Sequence, residues 1–588
     1  MTTRSHAAAT LYHCAIAAWQ RGDAGAAAGL LRQAVDADAL WPVAVNDLGT
    51  VLVQMGRIAE AIPAYRRAIE LAPAYPEAHN NLANLYQMIG SLEEAVAGYR
   101  TALCLRPGYA EAHRNLASAL RRLGRIEEAV AALATAVSLN PDYVEAIAQL
   151  LHQLQQLCDW RRVDDLTGQL VCAVEDRHAA VNPFVFLTLR TTPRQQRMCA
   201  EQWARAHRLT VSDGAPVQLK RDPSVNRVTA GYLSADFQEH ATAHLISELF
   251  ELHDRSRFRV IGYSYGTDDG SPARRRLRDS FDAFVDLENV SHPDAAARIR
   301  ADGVDILVDL KGYTTDARPE IVALRPAPIQ VSYLGFPGTM GTRAIDYILV
   351  DPFVVPADQQ EHFTETLVYL PHCYQVNDRR RPIAPVPSRV DCHLPEDAFV
   401  FCCFNSPYKI SPVMFDIWMR LLERVPGSVL WLLETHVPAA ANLRREAEVR
   451  LKGGSARLVF GPSLGNPEHL ARFALADLFL DTLPYNAHTV ASDSLWGGCP
   501  VLTCTGETFA SRVAGSLLHA VGLPELVTFT LVEYEALALR LAERPGELQA
   551  IRARLGKNRL ELPLFDTPQF ARDIEAAFEW MLQDRTQP

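Results

Sequence analysis

The sequence lacks the features that mark several large classes of protein. No run approaches the ~18 apolar residues of a membrane-spanning helix, so we expect a soluble chain with no membrane partner. A formal charge of −11 gives no basis for a nucleic-acid partner. The eleven cysteines are scattered and none forms a Cys-x-x-Cys pair, which disfavours a metal or disulfide framework and favours the reducing cytoplasm.

The first third of the 588 residues is built from a repeat with a period of 34. Each copy has a glycine at the expected turn between two helices, alanines where the helices contact closely, and a proline that ends the second helix. The period and the pattern match the tetratricopeptide repeat and predict a superhelix over residues 1–158. Three clear copies begin at Trp41, Tyr75 and Tyr109.

The copies at the two ends of this array are less regular. A looser copy covers Ala7–Leu40, and a decaying copy begins at Tyr143, where Cys158 takes the place of the turn glycine. The array therefore has four or five repeats, and its irregular ends serve as caps.

One row of polar side chains recurs at the same repeat position: Asp47, Asn81, Asn115 and Gln149. The amides, above all those of Asn81 and Asn115, are predicted to hydrogen bond the backbone of an extended peptide, whatever its sequence, in the groove of the superhelix. The alternative is that they satisfy neighbouring turns inside the solenoid.

After an irregular helical connector, predicted at 159–225, short β-branched runs alternate with helical stretches. This alternation predicts parallel sheets covered on both faces. The runs form two sets, separated by a segment at 379–395 with three consecutive arginines and four prolines, which is predicted to be a solvated linker. The predicted fold is α + α/β: an α-solenoid, two Rossmann-like lobes at 226–385 and 386–565, and a C-terminal helix at 566–588.

Common motifs of nucleotide-dependent enzymes are missing from both predicted lobes. No Gly-x-Gly-x-x-Gly follows the first strand of either lobe, which argues against a dinucleotide-dependent dehydrogenase. No Walker P-loop is present either. No paired aspartates stand at a strand end, so we expect neither a metal nor another cofactor. A ligand is expected in the cleft between the lobes, at the carboxyl ends of the strands.

The stretch DLFLDTLPYNAHTVASDSLWGG predicts an anion site where a strand, a loop and a helix follow one another. Free backbone N–H groups at the helix start, with Thr489 beside them, would bind phosphate. Asp493 is placed to accept hydrogen bonds from sugar hydroxyls, or it only caps the helix. Lys409, in a loop after another strand, is a suitable counter-ion for a departing diphosphate, or a solvated surface lysine.

Several motifs together resemble one family: GYLSADFQEHATAHL, DGVDILVDLKGYTTDARPEIVALRPAPIQVSYLGFPGT, FNSPYKI, SVLWLL and DLFLDTLPYNAHTVASDSLWGGCPVLTCTGETFASRVAGS. From about Trp41 to the C-terminal helix, the chain resembles the tetratricopeptide-containing O-linked N-acetylglucosamine transferases. The resemblance implies a two-lobed GT-B transferase, inverting and metal-independent. It would move N-acetylglucosamine from UDP-N-acetylglucosamine to Ser or Thr of protein acceptors bound through the repeats.

The resemblance also assigns roles to individual residues. His240 is similar to a histidine regarded as general base or as a substrate-positioning group, and Asp302 to a carboxylate proposed for proton relay. The donor would be held by Lys409 at the diphosphate, His488 and Thr489 in the phosphate loop, Asp493 at the ribose, and His469 and Arg472 beside the uridine.

Two positions depart from the pattern of the family. Ser406 replaces a glutamine near the diphosphate, and Asn466 replaces a lysine ahead of His469. These departures leave two alternatives open. One keeps the fold and uses GDP-fucose, as in the similar plant Spindly-type protein O-fucosyltransferases. The other is a repeat scaffold that binds proteins and carries an inactive transferase domain.

Overall fold

The structure, a computed structural model, describes residues 6–210, 227–557 and 559–586. Its contacts divide the chain into two compact units, which meet in sequence after Gln153. The predicted boundary between connector and first lobe, at 225/226, lies outside the described residues, and the finer domain boundaries stay predictions. None of the helices in the described ranges combines the length and the apolar character that a bilayer crossing requires.

The first unit is a stack of helix pairs, which confirms the predicted repeat array. The turn residues Gly56, Gly90 and Gly124 adopt φ of +73°, +84° and +75°, where a side chain would be strained. The alanines at the predicted close contacts are fully buried. The helices are α1 (His6–Gln20), α2 (Ala24–Ala37), α3 (Pro42–Gln54), α4 (Ile58–Leu71), α5 (Pro76–Met88), α6 (Leu92–Leu105), α7 (Ala110–Arg122), α8 (Ile126–Leu139) and α9 (Val144–Gln156).

The predicted row of amides forms a ladder inside this unit. Asn81 Nδ2 donates to Asn46 Oδ1, and Asn115 Nδ2 donates to Asn80 Oδ1, each at 3.1 Å. The amide oxygen of Asn115 also has a partner, because Oδ1 accepts a hydrogen bond from Arg114 at 2.6 Å. These bonds join neighbouring repeats and favour the alternative that the amides satisfy the solenoid itself. A contact of Asn81 and Asn115 with an acceptor peptide stays a prediction.

A helical connector opens the second unit, with α10 (Val163–Glu175), α11 (Pro183–Leu187) and α12 (Pro193–Ala206). At its start, Cys158 adopts φ +48° and is fully buried, so it takes the left-handed place of the turn glycine as predicted. Its thiol lies 3.7 Å from the carbonyl oxygen of Pro407. The connector therefore packs beside the loop that contains Lys409.

Seven parallel strands of the described chain form the first sheet, in the order β3-β2-β1-β4-β5-β6-β7. The central strand is buried along its whole length, as expected of a parallel sheet covered on both faces. Its elements are β1 (Val228–Ser234), α13 (Ala241–Leu252), β2 (Phe258–Ser264), α14 (Pro272–Ser280), β3 (Ala283–Asp286), α15 (His292–Ala301), β4 (Ile306–Asp309), α16 (Pro319–Ala323), β5 (Ile329–Ser332), β6 (Tyr347–Val350) and β7 (Thr366–Tyr369).

The second sheet has the order β10-β9-β8-β11-β12-β13, again all parallel. The two sheets confirm the predicted pair of Rossmann-like lobes. Strands β3, β7 and β13 were not predicted. The elements are β8 (Val400–Cys403), α17 (Pro412–Arg424), β9 (Val429–Leu433), α18 (Val437–Arg450), β10 (Leu458–Gly461), α19 (Asn466–Arg472), β11 (Leu478–Leu480), α20 (Thr489–Trp496), β12 (Val501–Cys504), α21 (Val513–Ala520), β13 (Val527–Thr528), α22 (Leu531–Glu543), α23 (Pro545–Gly556) and α24 (Thr567–Thr586).

The arginine run between the lobes differs from the solvated linker predicted for it. Arg381 is only 5% exposed and pairs with Asp493. Arg379 Nε donates to Glu248 at 2.8 Å. The prediction that this charge is solvated is therefore wrong for Arg381, because its partner is the carboxylate of Asp493, 112 residues further along the chain.

Helix α24 returns from the second lobe to the first. Its Glu575 carboxylate accepts a hydrogen bond from His253 Nδ1 at 3.0 Å and from the Asp254 N–H at 2.8 Å. The other ring nitrogen of His253 lies 2.8 Å from the Tyr232 hydroxyl, which donates to it. All three side chains are buried, and burial lowers the pKa of His253, so the imidazole is neutral. This buried chain of bonds fixes the last helix to the first sheet.

We expect Glu575→Ala to destabilise the second unit by about 3 kcal/mol, because it leaves buried donors without an acceptor. Glu579→Ala is the matched control: one turn later in α24, Glu579 pairs with Arg257 where both side chains are almost half exposed. That change should stay within about 1 kcal/mol. Denaturant unfolding of both variants measures the difference, and equal losses would contradict the role given to Glu575.

Candidate active site

The strand order reverses at one place in each sheet, between β1 and β4 and between β8 and β11. Ligands of open α/β sheets bind at the carboxyl ends of the strands at such points. Helices α13 and α20 begin in the loops after β1 and β11, and they contact each other across the lobes. His244, in the first turns of α13, acts electrostatically on Asp493 of α20. The two reversal points therefore face one cleft.

Lys409 lies in the loop after β8 and is 9% exposed. Its ammonium donates to the carbonyl oxygen of Asn486 at 2.8 Å and lies 4.2 Å from the ring centroid of Tyr485. Burial lowers the pKa of Lys409 to about 8, although the charge of Asp481 opposes this shift. At pH 7 the group is therefore still mostly protonated, and it places a buried positive charge beside the loop that leads into α20.

Asp481, at the end of β11, organises that loop. Its carboxylate accepts hydrogen bonds from the N–H groups of Thr482 (2.7 Å) and Ala487 (2.6 Å) and from the Thr503 hydroxyl (2.6 Å). Burial raises the pKa of Asp481 to about 6. Sequence analysis missed this residue, although its place at the end of the run DLFLD was a usable signal.

Helix α20 begins with an open first turn. Its N-cap residue, His488, makes no side-chain capping bond, so the N–H groups from Thr489 to Ala491 have no partner within the helix. His488 Nε2 donates to the Ala510 carbonyl at 3.1 Å, and its ring stacks on Tyr485 at 4.8 Å. Burial keeps the pKa of His488 well below its usual value. The neutral ring of His488 therefore supplies no positive charge, and an anion at this place would be bound by the N–H groups at the start of α20.

Asp493 lies in the second turn of α20 and is buried. Its Oδ1 accepts from Arg381 Nη1, and Oδ2 accepts from no side chain in the described ranges. Burial raises the pKa of Asp493, and the adjacent guanidinium offsets part of this rise. One oxygen is thus fixed by Arg381, and the other has no side-chain donor among the described residues.

His469 and Arg472 lie together on α19, beside the loop after β8. The His469 ring meets Phe404 edge-on at 5.7 Å, and the Arg472 guanidinium lies 5.0 Å from the same ring. Burial lowers the pKa of His469 to about 3, so its ring is neutral. The structure therefore brings these two residues next to the loop of Lys409. Ser406, in that loop, is exposed, and its carbonyl oxygen accepts from the Lys409 N–H at 3.0 Å.

A cavity of about 340 Å³ opens beside Arg472. Trp431, Phe460 and Leu464 line it, so its walls are largely apolar. Arg472 Nη1 donates to the Pro462 carbonyl at 3.0 Å, whereas its Nε and Nη2 find no hydrogen-bond partner among the described residues. The place suits a small planar group with hydrogen-bond acceptors.

His240 caps α13 in the first lobe, at the carboxyl end of β1. Its Nδ1 accepts from the Thr242 N–H at 3.2 Å, which places the proton of the neutral ring on Nε2. The His240 side chain is 43% exposed, and its partial desolvation lowers the pKa of the ring. Asp236 lies 3.4 Å from the same Nδ1, but Lys311 holds it in a buried ion pair of 2.8 Å. Sequence analysis missed Asp236 and Lys311, although both stand after strands in the SADF and DLKG motifs.

Asp302 lies apart from these groups. It ends α15, just before β4, and so stands at the amino edge of the first sheet, whereas His240 follows β1 at the carboxyl edge. Arg298 and the Tyr263 hydroxyl each donate to its carboxylate at 3.0 Å. The structure does not bring Asp302 together with His240, and its part in a proton relay stays a prediction.

Comparison with known proteins follows the same division of the chain. The family model of glycosyl transferase family 41 matches residues 157–390 and 381–574, and tetratricopeptide-repeat models match residues 49–90 and 90–154. The probable UDP-N-acetylglucosamine–peptide N-acetylglucosaminyltransferase SEC of Arabidopsis thaliana is 36% identical over 450 residues, covering 73% of this chain and 46% of that protein.

Two further relatives agree with this result. The UDP-N-acetylglucosamine–peptide N-acetylglucosaminyltransferase of Caenorhabditis elegans is 31% identical over 550 residues, covering 72% of this chain and 47% of its own length. The chain thus spans about half the length of these curated relatives. A solved mutant of the Thermobaculum terrenum O-GlcNAc transferase is 29% identical with a TM-score of 0.67, covering 92% of this chain and 97% of that one. Because the family model covers more than half of the residues, including both sheets, the chain belongs to glycosyl transferase family 41.

Proposed function

We propose that this chain transfers N-acetylglucosamine from UDP-N-acetylglucosamine to Ser or Thr hydroxyls of proteins. The observation that carries the proposal is the buried ammonium of Lys409 beside the open start of α20, at the reversal point of the second sheet. The printed names of the relatives support the donor and the reaction. The repeat array supports proteins as acceptors, held in its groove.

In this reaction the acceptor hydroxyl attacks the anomeric carbon from the face opposite the diphosphate. The bond from that carbon to the diphosphate breaks, and negative charge grows on the departing group. Lys409 and the N–H groups from Thr489 to Ala491 would meet this charge in a buried place, where such interactions are strong. Stabilising the departing diphosphate is therefore the main catalytic effect that we assign to the protein.

The pKa of Lys409 fits this task. With a pKa of about 8 in the free protein, the amine of Lys409 is mostly protonated at pH 7, and it loses its proton and its charge as the pH rises through 8. A bound diphosphate favours the charged form, because an adjacent negative charge raises the pKa of an ammonium. Donor binding would therefore hold Lys409 in the state that the reaction requires.

The tautomer of His240 supports positioning rather than proton removal. Because Nδ1 accepts from Thr242, the neutral ring presents Nε2–H, which donates and cannot accept a proton. Asp236 lies near Nδ1 and would favour a proton there, but its charge is largely neutralised by the ion pair with Lys311. We infer that His240 orients a substrate oxygen by donating to it.

The uridine and the cofactor requirement are also part of the proposal. The neutral ring of His469 and the apolar cavity beside Arg472 support the binding of a small planar base, the uracil of the UDP-sugar. Among the described residues, no group of three or more His, Cys, Asp or Glu is placed to hold a metal. Catalysis without a metal or another cofactor is part of the proposal. All eleven cysteines are free, which supports the cytoplasm as the location.

Thermal shift measurements with a panel of nucleotide-sugars test the donor. UDP and UDP-N-acetylglucosamine should stabilise the full chain, by about 2.7 kcal/mol at a hundredfold excess over the dissociation constant. GDP-sugars should stabilise it much less. A larger shift with GDP-fucose would replace our proposal by the fucosyltransferase alternative, and no shift with any donor would favour an inactive scaffold.

Lys409→Ala should lower kcat by ~10²–10³ with a smaller change in donor affinity, because the charge matters most in the transition state. Lys452→Ala, which removes an exposed lysine from the same lobe, is the matched control and should leave turnover unchanged. Glycosyl transfer should also survive EDTA. Activity that is lost in EDTA and restored by manganese would show that a metal meets the diphosphate, and the role given to Lys409 would be wrong.

Deletion of residues 1–141 should abolish transfer to proteins while slow hydrolysis of the donor stays measurable. The reason is that the repeats would position the acceptor and contribute little to the chemistry at Lys409. The stabilisation by UDP serves as the control for folding of the shortened chain. Protein glycosylation at the full rate by a folded, truncated enzyme would rule out the repeats as the acceptor platform.

A further inference from the structure

Arg381 joins the segment between the two lobes to α20, the helix that follows the loop after β11. Its guanidinium is 5% exposed and donates through Nη1 to Asp493 Oδ1. The same group donates to the Asp378 carbonyl at 3.2 Å and to Asn377 Oδ1 at 3.3 Å. Its plane lies 5.5 Å from the ring of Trp496, at the end of α20. Arg381 is therefore fixed in one orientation beside Asp493.

The other two arginines of the run behave differently. Arg379 and Arg380 pair with Glu248 and Glu251 of α13, at 2.8 and 2.6 Å. The side chain of Arg380 is 61% exposed and that of Glu251 23%, so water can replace this pair at low cost. Arg379 is 35% exposed, although its partner Glu248 is buried. Arg381 differs from both neighbours because the arginine and its carboxylate partner are both buried.

We propose that Arg381 is a positioning residue of the donor site, which holds the Asp493 carboxylate ionised and directs its Oδ2 at the ribose hydroxyls of a UDP-sugar. This inference rests on the proposed function. It gives Arg381 no contact with the donor, since its guanidinium already bonds Oδ1 and the backbone of its own segment.

A buried carboxylate needs such a partner. Burial by itself favours the protonated form of Asp493, which would donate one hydrogen bond where a carboxylate accepts several. The titratable groups that act on Asp493 are Arg381 from the interlobe segment and His244 from α13, and Arg559 lies near enough to interact with Arg381. Arg381 is the one among them that is hydrogen bonded to the carboxylate.

The segment also fixes the start of α20 through a second residue. Asn377 Oδ1 accepts from the Ser492 hydroxyl as well as from Arg381, and its carbonyl oxygen accepts from Thr567 at the start of α24, at 2.6 Å. The orientation of Asp493 therefore depends on a segment that contacts both lobes and the last helix.

Calorimetric titration of the full chain with UDP and with UDP-N-acetylglucosamine tests the proposal. At pH 7, Arg381→Met should weaken the binding of both by about tenfold, the effect of losing a charge-assisted hydrogen bond at a buried group. Arg380→Met is the matched control from the same run and should bind within about twofold of the wild type. Arg381→Lys keeps the charge without the planar fork and should recover part of the loss.

The pH dependence separates positioning from general damage. Without Arg381 the pKa of Asp493 rises further, so its ionised fraction falls in the acidic range. The binding deficit of Arg381→Met should therefore grow from about pH 8 to about pH 5, relative to the wild type. A deficit of constant size across this range would overturn the role assigned to Arg381.

A double variant keeps the test valid if Arg381→Met alone fails to fold. Arg381→Met combined with Asp493→Asn leaves no buried charge without a partner and should bind UDP as weakly as Asp493→Asn alone. An added loss in the double variant would mean that Arg381 acts on the donor directly, which would overturn the inference. Wild-type protein that bound no UDP-sugar would refute the proposed function instead, whereas unchanged binding by Arg381→Met would refute only the positioning role.

Discussion

The carboxylate of Asp481 and the ammonium of Lys409 are buried within the same loops, and the geometry of the second lobe depends on this pair of charges. Asp481 joins the loop after β8, through Asn405 at 3.4 Å, to the loop after β11 and to Thr503 of β12. Burial raises the pKa of the carboxylate and lowers that of the ammonium, and each charge offsets part of the shift of the other. This arrangement holds the start of α20 in place, so the proposed phosphate site and its proposed counter-ion, Lys409, depend on the same buried groups.

The two lobes use the same device at their reversal points. The chain has only five lysines against 53 arginines, yet the buried lysines Lys311 and Lys409 each follow the strand at one reversal point. An ammonium is a compact point charge that can change partners, whereas a guanidinium is suited to a fixed planar pair. In this chain the buried lysines lie at the reversal points of the two sheets, whereas Arg381 is paired with the buried carboxylate of Asp493.

Local patterns in the sequence predicted the repeats, the two sheets and the loops after β8 and β11, because each depends on residues close together in the chain. The short strands β3 and β7 were missed, since their four-residue runs are only partly buried and resemble loops. Pairs such as Arg381 with Asp493, 112 residues apart, leave no local pattern. Periodicity located the row of Asn81 and Asn115, but it could not show that their amides find partners in the neighbouring repeat.

The return of α24 to the first sheet affects the order in which the protein can be completed during synthesis. His253 and Asp254 belong to the part of the first lobe that leaves the ribosome early, yet the carboxylate that accepts their hydrogen bonds is Glu575. More than three hundred residues separate the two sides of this contact. Until α24 has been translated, the apolar face that it covers is open, and the Nδ1–H of His253 lacks its acceptor. The packing of the first sheet against α24 can therefore be completed only late in translation.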